Sequence, residues 1–264
     1  MKDKFGGIFF SETEKVGQLL DNETHLVIFD RYDFASSFCQ GKRVLEVGCG
    51  SGVGLEYLSD LSGSFDAIEY SGQNVDLLKG KEVGCAKVIQ GDAHETVFKD
   101  RSFDLIIALA MIYYLDLSRF LKETKRLLDT EGKLFFCTSN KDVPGFCKAP
   151  GTTRYYSIPE LHYKLAQIGF EAEFYGAFPK SGGSLVMRRL KATLKDTVKA
   201  LFQMSSRGKL FWENLRLKSL GHLYPLPPKI TAENIRSSER IRLDQNKPDF
   251  THRVIYVVAT KKSI

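Results

Sequence analysis

The sequence predicts an α/β fold: a doubly wound, mostly parallel sheet with a helical insertion late in the chain. Three features point there. Short apolar runs alternate with amphipathic stretches from residue 43 onward, the first run ends directly in a glycine-rich turn, and a long, basic segment separates the last two runs. Strands and helices alternating at this spacing imply parallel pairing through right-handed crossovers. Of the 264 residues, 43% are hydrophobic and 27% charged, which excludes disordered, collagen-like and coiled-coil classes.

Residues 14–38 read as helical, with Val16, Leu19, Leu20, Leu26, Phe29, Phe34 and Phe38 at roughly helical spacing, and Gly41 breaks the pattern. Arg43 to Val47 is a short apolar strand running into Gly48-Cys-Gly-Ser-Gly-Val-Gly54, after which a helix is expected from Leu55 to Leu61. Phe65–Glu69 is the second strand and Asn74 to Lys79 its helix; Lys87–Gln90 is the third strand, ending at Gly91-Asp92. The fourth, Phe103 to Ala108, precedes an amphipathic helix from Ser118 to Leu128, and Gly132 separates that helix from a fifth strand, Lys133–Cys137. Ser157-Ile-Pro-Glu160 has the form of a capping box opening a helix to Ile168. Gly169 ends that helix before a sixth strand, 170–178, and the last strand is 252–259.

A glycine-rich turn between strand and helix lets backbone N–H groups approach a ligand closely, a device shared by dinucleotide sites. The strict G-x-G-x-x-G spacing fails, because the sixth position from Gly48 is Val53. Glu46 stands two residues before the first glycine, where it would repel a pyrophosphate and attract an ammonium group.

Val44-Leu-Glu-Val-Gly-Cys-Gly-Ser-Gly52 resembles the first motif of class I S-adenosylmethionine-dependent methyltransferases of the small-molecule type. The resemblance spans roughly residues 40–180 plus the final strand. It implies a Rossmann-like sheet of seven strands in the order 3-2-1-4-5-7-6, the last antiparallel, and S-adenosyl-L-methionine as cofactor. Mapped onto this chain, it places Glu46, Gly48, Cys49, Gly50 and Gly52 in the cofactor loop. Glu69 and Tyr70 would hold the ribose, Asp92 and Ala93 the adenine, and Leu109 would close the methionine end. A carboxylate suits the ribose task because it accepts two hydrogen bonds at once. No metal is expected.

Methyl transfer needs in-line positioning, and a base only where the acceptor must lose a proton. Many relatives carry a histidine near the first tyrosine of the segment after strand four; this chain has Tyr113 and Tyr114, so Tyr113 is the candidate catalytic residue, as an orienting hydroxyl more than a base. His94 is expected to face solvent. The resemblance implies a core of residues 1–178 and 252–264, with residues 179–251 an unusual basic insert. Ser184 to Met204 reads as a helix with an apolar stripe and a second stripe of Arg188, Lys191, Lys195 and Lys199; Gly208 to Leu220 reads as another, and residues 222–229 as an irregular proline-stiffened link. The insert is open to three readings: a lid or dimer surface, a pocket for an anionic acceptor, or an interfacial helix contacting acidic membrane through residues 184–204.

Between Pro179 and Lys229 eleven basic residues face two acidic ones, a net +9 against −3 for the remainder. An anionic partner is therefore expected at this segment. Nucleic acid is disfavoured, because no recognised binding module accompanies the charge. Cys39, Cys49, Cys85, Cys137 and Cys147 show no metal spacing and read as buried free thiols. The opening residues hold no apolar stretch with a small-residue cleavage site, and the expected location is cytoplasmic. The function expected is O-methylation of a small or lipid-linked metabolite, with a sugar or glycan precursor preferred. An NAD(P)-dependent oxidoreductase and a non-catalytic S-adenosylmethionine-binding module are the rivals.

Overall fold

The computed structural model describes residues 14–79, 83–180 and 222–262. In chain order the elements are β1 (Leu19–Asp21), α1 (Asn22–Ser36), β2 (Arg43–Val47), α2 (Leu55–Ser59), β3 (Ser64–Glu69), α3 (Gly72–Leu78), β4 (Lys87–Gln90) and β5 (Phe103–Leu109), a 3-10 turn at Ile112–Tyr114, α4 (Leu117–Leu127), β6 (Leu128–Ser139), α5 (Ile158–Gln167), β7 (Phe170–Pro179), β8 (Leu223–Pro225), β9 (Ile241–Leu243) and β10 (His252–Lys261).

The main sheet runs β4-β3-β2-β5-β6-β10-β7-β9. β4, β3, β2, β5 and β6 are mutually parallel, and β10 is antiparallel to both β6 and β7. The seven expected strands thus lie in the expected order, and β9 adds an eighth at the edge, antiparallel to β7. Successive side chains alternate between the faces, as strand geometry requires. Leu45, Ile106 and Phe136 pack against Phe120, Leu121, Leu161 and Leu165 of α4 and α5. Val44, Leu105, Ile107 and Phe135 pack the other way, against Ile28 and Ala35 of α1 and Leu55 and Leu58 of α2. Coverage on both faces explains why these strands read as continuous apolar runs.

Four expectations change. The helix expected over 14–38 begins only at Asn22, where extended Asp21 accepts the Thr24 N–H at 2.8 Å. Gly17 sits at φ +80° and Leu19–Asp21 pair antiparallel with β8, so a long-range ladder replaces the first turns of the helix. The link over 222–229 is therefore partly strand, and Leu226 and Ile230 are buried in the α1 side of the core. α4 ends at Leu127, close to the expected Leu128, but β6 starts at Leu128 rather than Lys133, with an irregularity in its pairing to β5. Of the thiols, Cys85 and Cys147 are exposed and only Cys39, Cys49 and Cys137 are buried. The helices expected at 184–204 and 208–220 lie outside the described residues. The described remainder of the insert lies on the body: Arg240 pairs with buried Asp30 at 2.6 Å, and Asp30 also accepts from Tyr256 of β10.

Candidate functional site

Parallel β2, β3, β4 and β5 all end at one edge of the sheet, and the turns that follow them converge on a cavity of about 770 Å³. That volume lies within the roughly 300–1,000 Å³ typical of small-molecule sites, and its position is the usual one in open parallel sheets.

The glycine loop forms the floor. Gly48, Gly50 and Gly52 take φ values of +74°, +58° and +78°, a region that only glycine enters freely. Gly48 N–H donates to the Ile68 carbonyl at 2.8 Å, drawing the loop across the end of β3. α2 is only five residues long, and the Gly48, Gly50 and Gly52 N–H groups are bonded to Ile68, Glu69 and Cys49, so close approach of a side-chain-free backbone, rather than a helix dipole, is what the loop offers a ligand. Gly48, Cys49 and Gly50 line the cavity; Gly52 does not, and a Cβ there would lie 2.5 Å from Leu78. Its task is the turn and its packing.

Glu69, at the end of β3, is buried and faces the cavity. Its two oxygens accept the N–H groups of Ser71 and Gly50, each at 2.8 Å. The carboxylate is thereby fixed in place while each oxygen keeps a second lone pair for a ligand hydroxyl. Tyr70, Ser71 and Asn74 complete this wall, the last two unforeseen in the sequence. Beyond β4, Asp92 and Ala93 also line the cavity. Asp92 Oδ1 accepts from the His94 backbone N–H at 2.9 Å and lies 2.7 Å from His94 Nδ1. Because His94 Nε2 must accept the Asp116 N–H at 3.1 Å, the proton sits on Nδ1 and points at Asp92. His94 was expected to face solvent; it lines the cavity instead, with both nitrogens engaged.

The other end is aromatic. Leu109, Met111, Tyr113, Tyr114 and Leu115 follow β5 into the cavity wall. The Tyr113 ring stacks on Tyr155 with centroids 4.6 Å apart, and its carbonyl accepts the Thr153 N–H at 2.7 Å. Burial, with Glu14 nearby, raises the Tyr113 pKa well above the usual phenol range. It is a neutral hydroxyl, suited to orienting a substrate rather than removing a proton.

Two buried polar groups give this end its charge. Glu46 of β2 is sealed behind the loop; Tyr32 donates to its Oε1 at 3.3 Å while Oε2 has no partner. Burial pushes its pKa up to about 7, with the Glu69 charge adding to the rise against the pull of the Tyr32 hydrogen bond. Arg31 of α1, absent from the sequence reading, is buried on the cavity wall with Nη2 2.6 Å from Glu14 and Nε unpartnered. Glu46, expected in the cofactor loop, does not itself line the cavity; the cavity joins a fixed carboxylate wall to an end walled by the Arg31 guanidinium, with the Glu46 carboxyl buried behind the loop. That is the complement of a polar nucleoside attached to an amino-acid zwitterion, and S-adenosylmethionine has that chemistry.

Residues 45–136 match the family described as a methyltransferase domain. The chain is 26% identical over 190 residues to a probable S-adenosylmethionine-dependent methyltransferase of Mycolicibacterium smegmatis, covering 65% of this chain and 71% of that protein. It is 27% identical over 121 residues to a fatty-acid O-methyltransferase of the same organism, 44% of each. Other curated relatives are matched over about half of their length. A crystal structure of a SAM-dependent methyltransferase from Thermotoga maritima superposes with a TM-score of 0.55 at 15% identity, covering 91% of this chain and 92% of that one; at that identity the likeness is one of fold.

Proposed function

We propose that the chain, whose residues 45–136 match a methyltransferase domain, is a class I S-adenosylmethionine-dependent methyltransferase and that it methylates an oxygen of a small, largely apolar acceptor, such as a lipid or lipid-linked metabolite. The observation that carries this reading is the single cavity where Glu69, Asp92 and the glycine loop meet the unpartnered Arg31 Nε and the tyrosine wall. When bound, S-adenosylmethionine supplies an electrophilic methyl group on a sulfonium. Glu69 and Asp92 hold the nucleoside, Arg31 the carboxylate, and the negative charge of Glu46 draws the ammonium toward the loop. Tyr113 and Tyr114 face the open end, where rigid aromatic walls orient an acceptor and exclude water from it.

An apolar acceptor is favoured over the sugar or glycan precursor by the lining at that end, Leu109, Met111 and Leu115 beside the two tyrosines, and by the fatty-acid O-methyltransferase among the relatives. Calorimetry with S-adenosylhomocysteine tests the cofactor assignment. The chain is expected to bind it and to ignore NAD, and Glu69→Gln, which keeps the shape but loses the charge, is expected to weaken binding by about 1.5–3 kcal/mol. No binding, or unchanged affinity in the variant, rejects this use of the cavity. Release of S-adenosylhomocysteine on adding fatty acids or a lipid extract tests turnover; its absence across such acceptors favours a module that only binds the cofactor.

A further inference from the structure

The Arg31–Glu14 pair is unequal. The Arg31 side chain is 4% exposed and held on a helix, whereas that of Glu14 is 39% exposed at the cavity mouth. Glu14 belongs to a strap, residues 14–18, laid beside the glycine loop. Its carbonyl accepts from Ser51 Oγ at 2.9 Å, its N–H donates to Gln18 Oε1 at 2.6 Å, and Gly17 N–H donates to the Leu226 carbonyl at 2.8 Å. Glu14 itself takes φ +67°, a region disfavoured for a residue with a Cβ and kept here by those three tethers. The backbone is pinned where it aims this carboxylate at Arg31, yet the carboxylate itself can turn to solvent. It engages only Nη2 and leaves Nε, which is sealed from solvent, without a hydrogen bond. A ligand carboxylate can engage both nitrogens of the guanidinium fork, as a bidentate pair does.

We infer that Glu14 is a displaceable counter-ion and a specificity-determining residue: it occupies Arg31 until a ligand carrying a carboxylate takes its place. This rests on the cofactor reading of the cavity above. A buried guanidinium without an anion is strongly disfavoured, so an exchange of one carboxylate for another keeps Arg31 paired throughout. A nucleoside lacking the carboxylate leaves Glu14 where it is. Competition at this end of the cavity then sets the specificity: it weakens the carboxylate ligand's apparent affinity and leaves that of a ligand without a carboxylate unchanged.

The test compares S-adenosylhomocysteine with its decarboxylated analogue, which keeps the ammonium, by calorimetry on the full chain. Glu14→Gln is expected to tighten S-adenosylhomocysteine about five- to tenfold, by removing the competitor, and to leave the analogue within about twofold. Glu14→Asp, which keeps the charge but shortens its reach, is expected to move affinity the same way by a smaller factor and covers the case in which the Gln variant does not fold. Arg31→Lys is expected to shrink the preference for the carboxylate ligand while still binding the analogue. Weaker S-adenosylhomocysteine binding in Glu14→Gln, or equal tightening of both ligands, overturns the inference while leaving the cofactor site standing. Failure of the parent chain to bind either ligand overturns both.

Discussion

At the scale of single residues, the site's behaviour turns on groups buried without full partners. Glu46 is the clearest. Its pKa near 7 stands above the 4.5 of an exposed glutamate, so the ligand-free fold holds its proton more tightly than the unfolded chain does. The stability that results is complete below about pH 4.5 and is lost as pH rises through 7, a contribution on the order of 3 kcal/mol. A cationic group seated against the loop favours the ionised form, so cofactor affinity should run the other way. S-adenosylhomocysteine affinity is expected to rise about tenfold from pH 6 to 8, as the ionised fraction rises, while the ligand-free melting temperature falls. Glu46→Gln should flatten both trends; a variant that keeps the parent's pH profile would show that another group titrates. Glu46, Glu69 and Asp92 were legible because each stands at or just beyond the carboxyl end of a short apolar strand, in segments that resemble the family's cofactor motifs. Arg31 was not, since no motif marks it and a single arginine between Asp30 and Tyr32 reads as the solvent side of a helix. It faces inward because α1 presents Ile28, Asp30, Arg31, Tyr32 and Ala35 together to the body.

At the scale of elements, the glycine loop separates two kinds of requirement that its sequence runs together. Gly50 needs its left-handed backbone, but a Cβ there would meet only open space. Gly54 has ordinary φ, yet a Cβ would lie 1.9 Å from Cε1 of Tyr32, whose ring is buried under the loop. Gly50→Ala is therefore expected to cost about 1–2 kcal/mol of stability from its backbone alone and to lose cofactor binding, because the methyl group enters the ligand's floor. Gly54→Ala should instead lower the melting temperature more steeply by displacing Tyr32, and weaken binding only as a consequence. Thermal unfolding and calorimetry on the same two proteins read this directly, and a reversed ranking would refute the division of labour. The longer elements were readable from their periodicity. β8 and β9 were not: three residues are too few to display a period of two, and both exist only because β1 and β7 offer them a ladder from far along the chain. Long-range pairing likewise took Leu19–Asp21 from the expected helix.

At the scale of the whole molecule, the sheet sets where the basic segment can act. β7 runs parallel to β6, being antiparallel to the β10 between them, so it ends at Pro179 on the same edge of the sheet as β2, β3 and β5. The chain returns at β8 beside β1, whose preceding strap lines the cavity mouth. Both anchor points of residues 181–221 therefore lie on the ligand side of the molecule. That placement was not available from the sequence, which revealed the charge but no side. The net +9 between Pro179 and Lys229 is the basis for proposing that an anionic acceptor headgroup or an acidic lipid surface is met by this segment. Changing Arg188, Lys191, Lys195 and Lys199 together to Gln is expected to spare S-adenosylhomocysteine affinity, since every cofactor residue assigned above lies elsewhere. The same change should abolish sedimentation with vesicles rich in anionic lipid and raise the acceptor KM several-fold. Raising salt should reproduce both effects in the parent, because exposed charges are screened beyond about 8–10 Å at physiological ionic strength. If the parent neither binds such vesicles nor responds to salt, and the variant turns over normally, the stripe only keeps the segment solvated. The acceptor must then be recognised by the tyrosine wall alone.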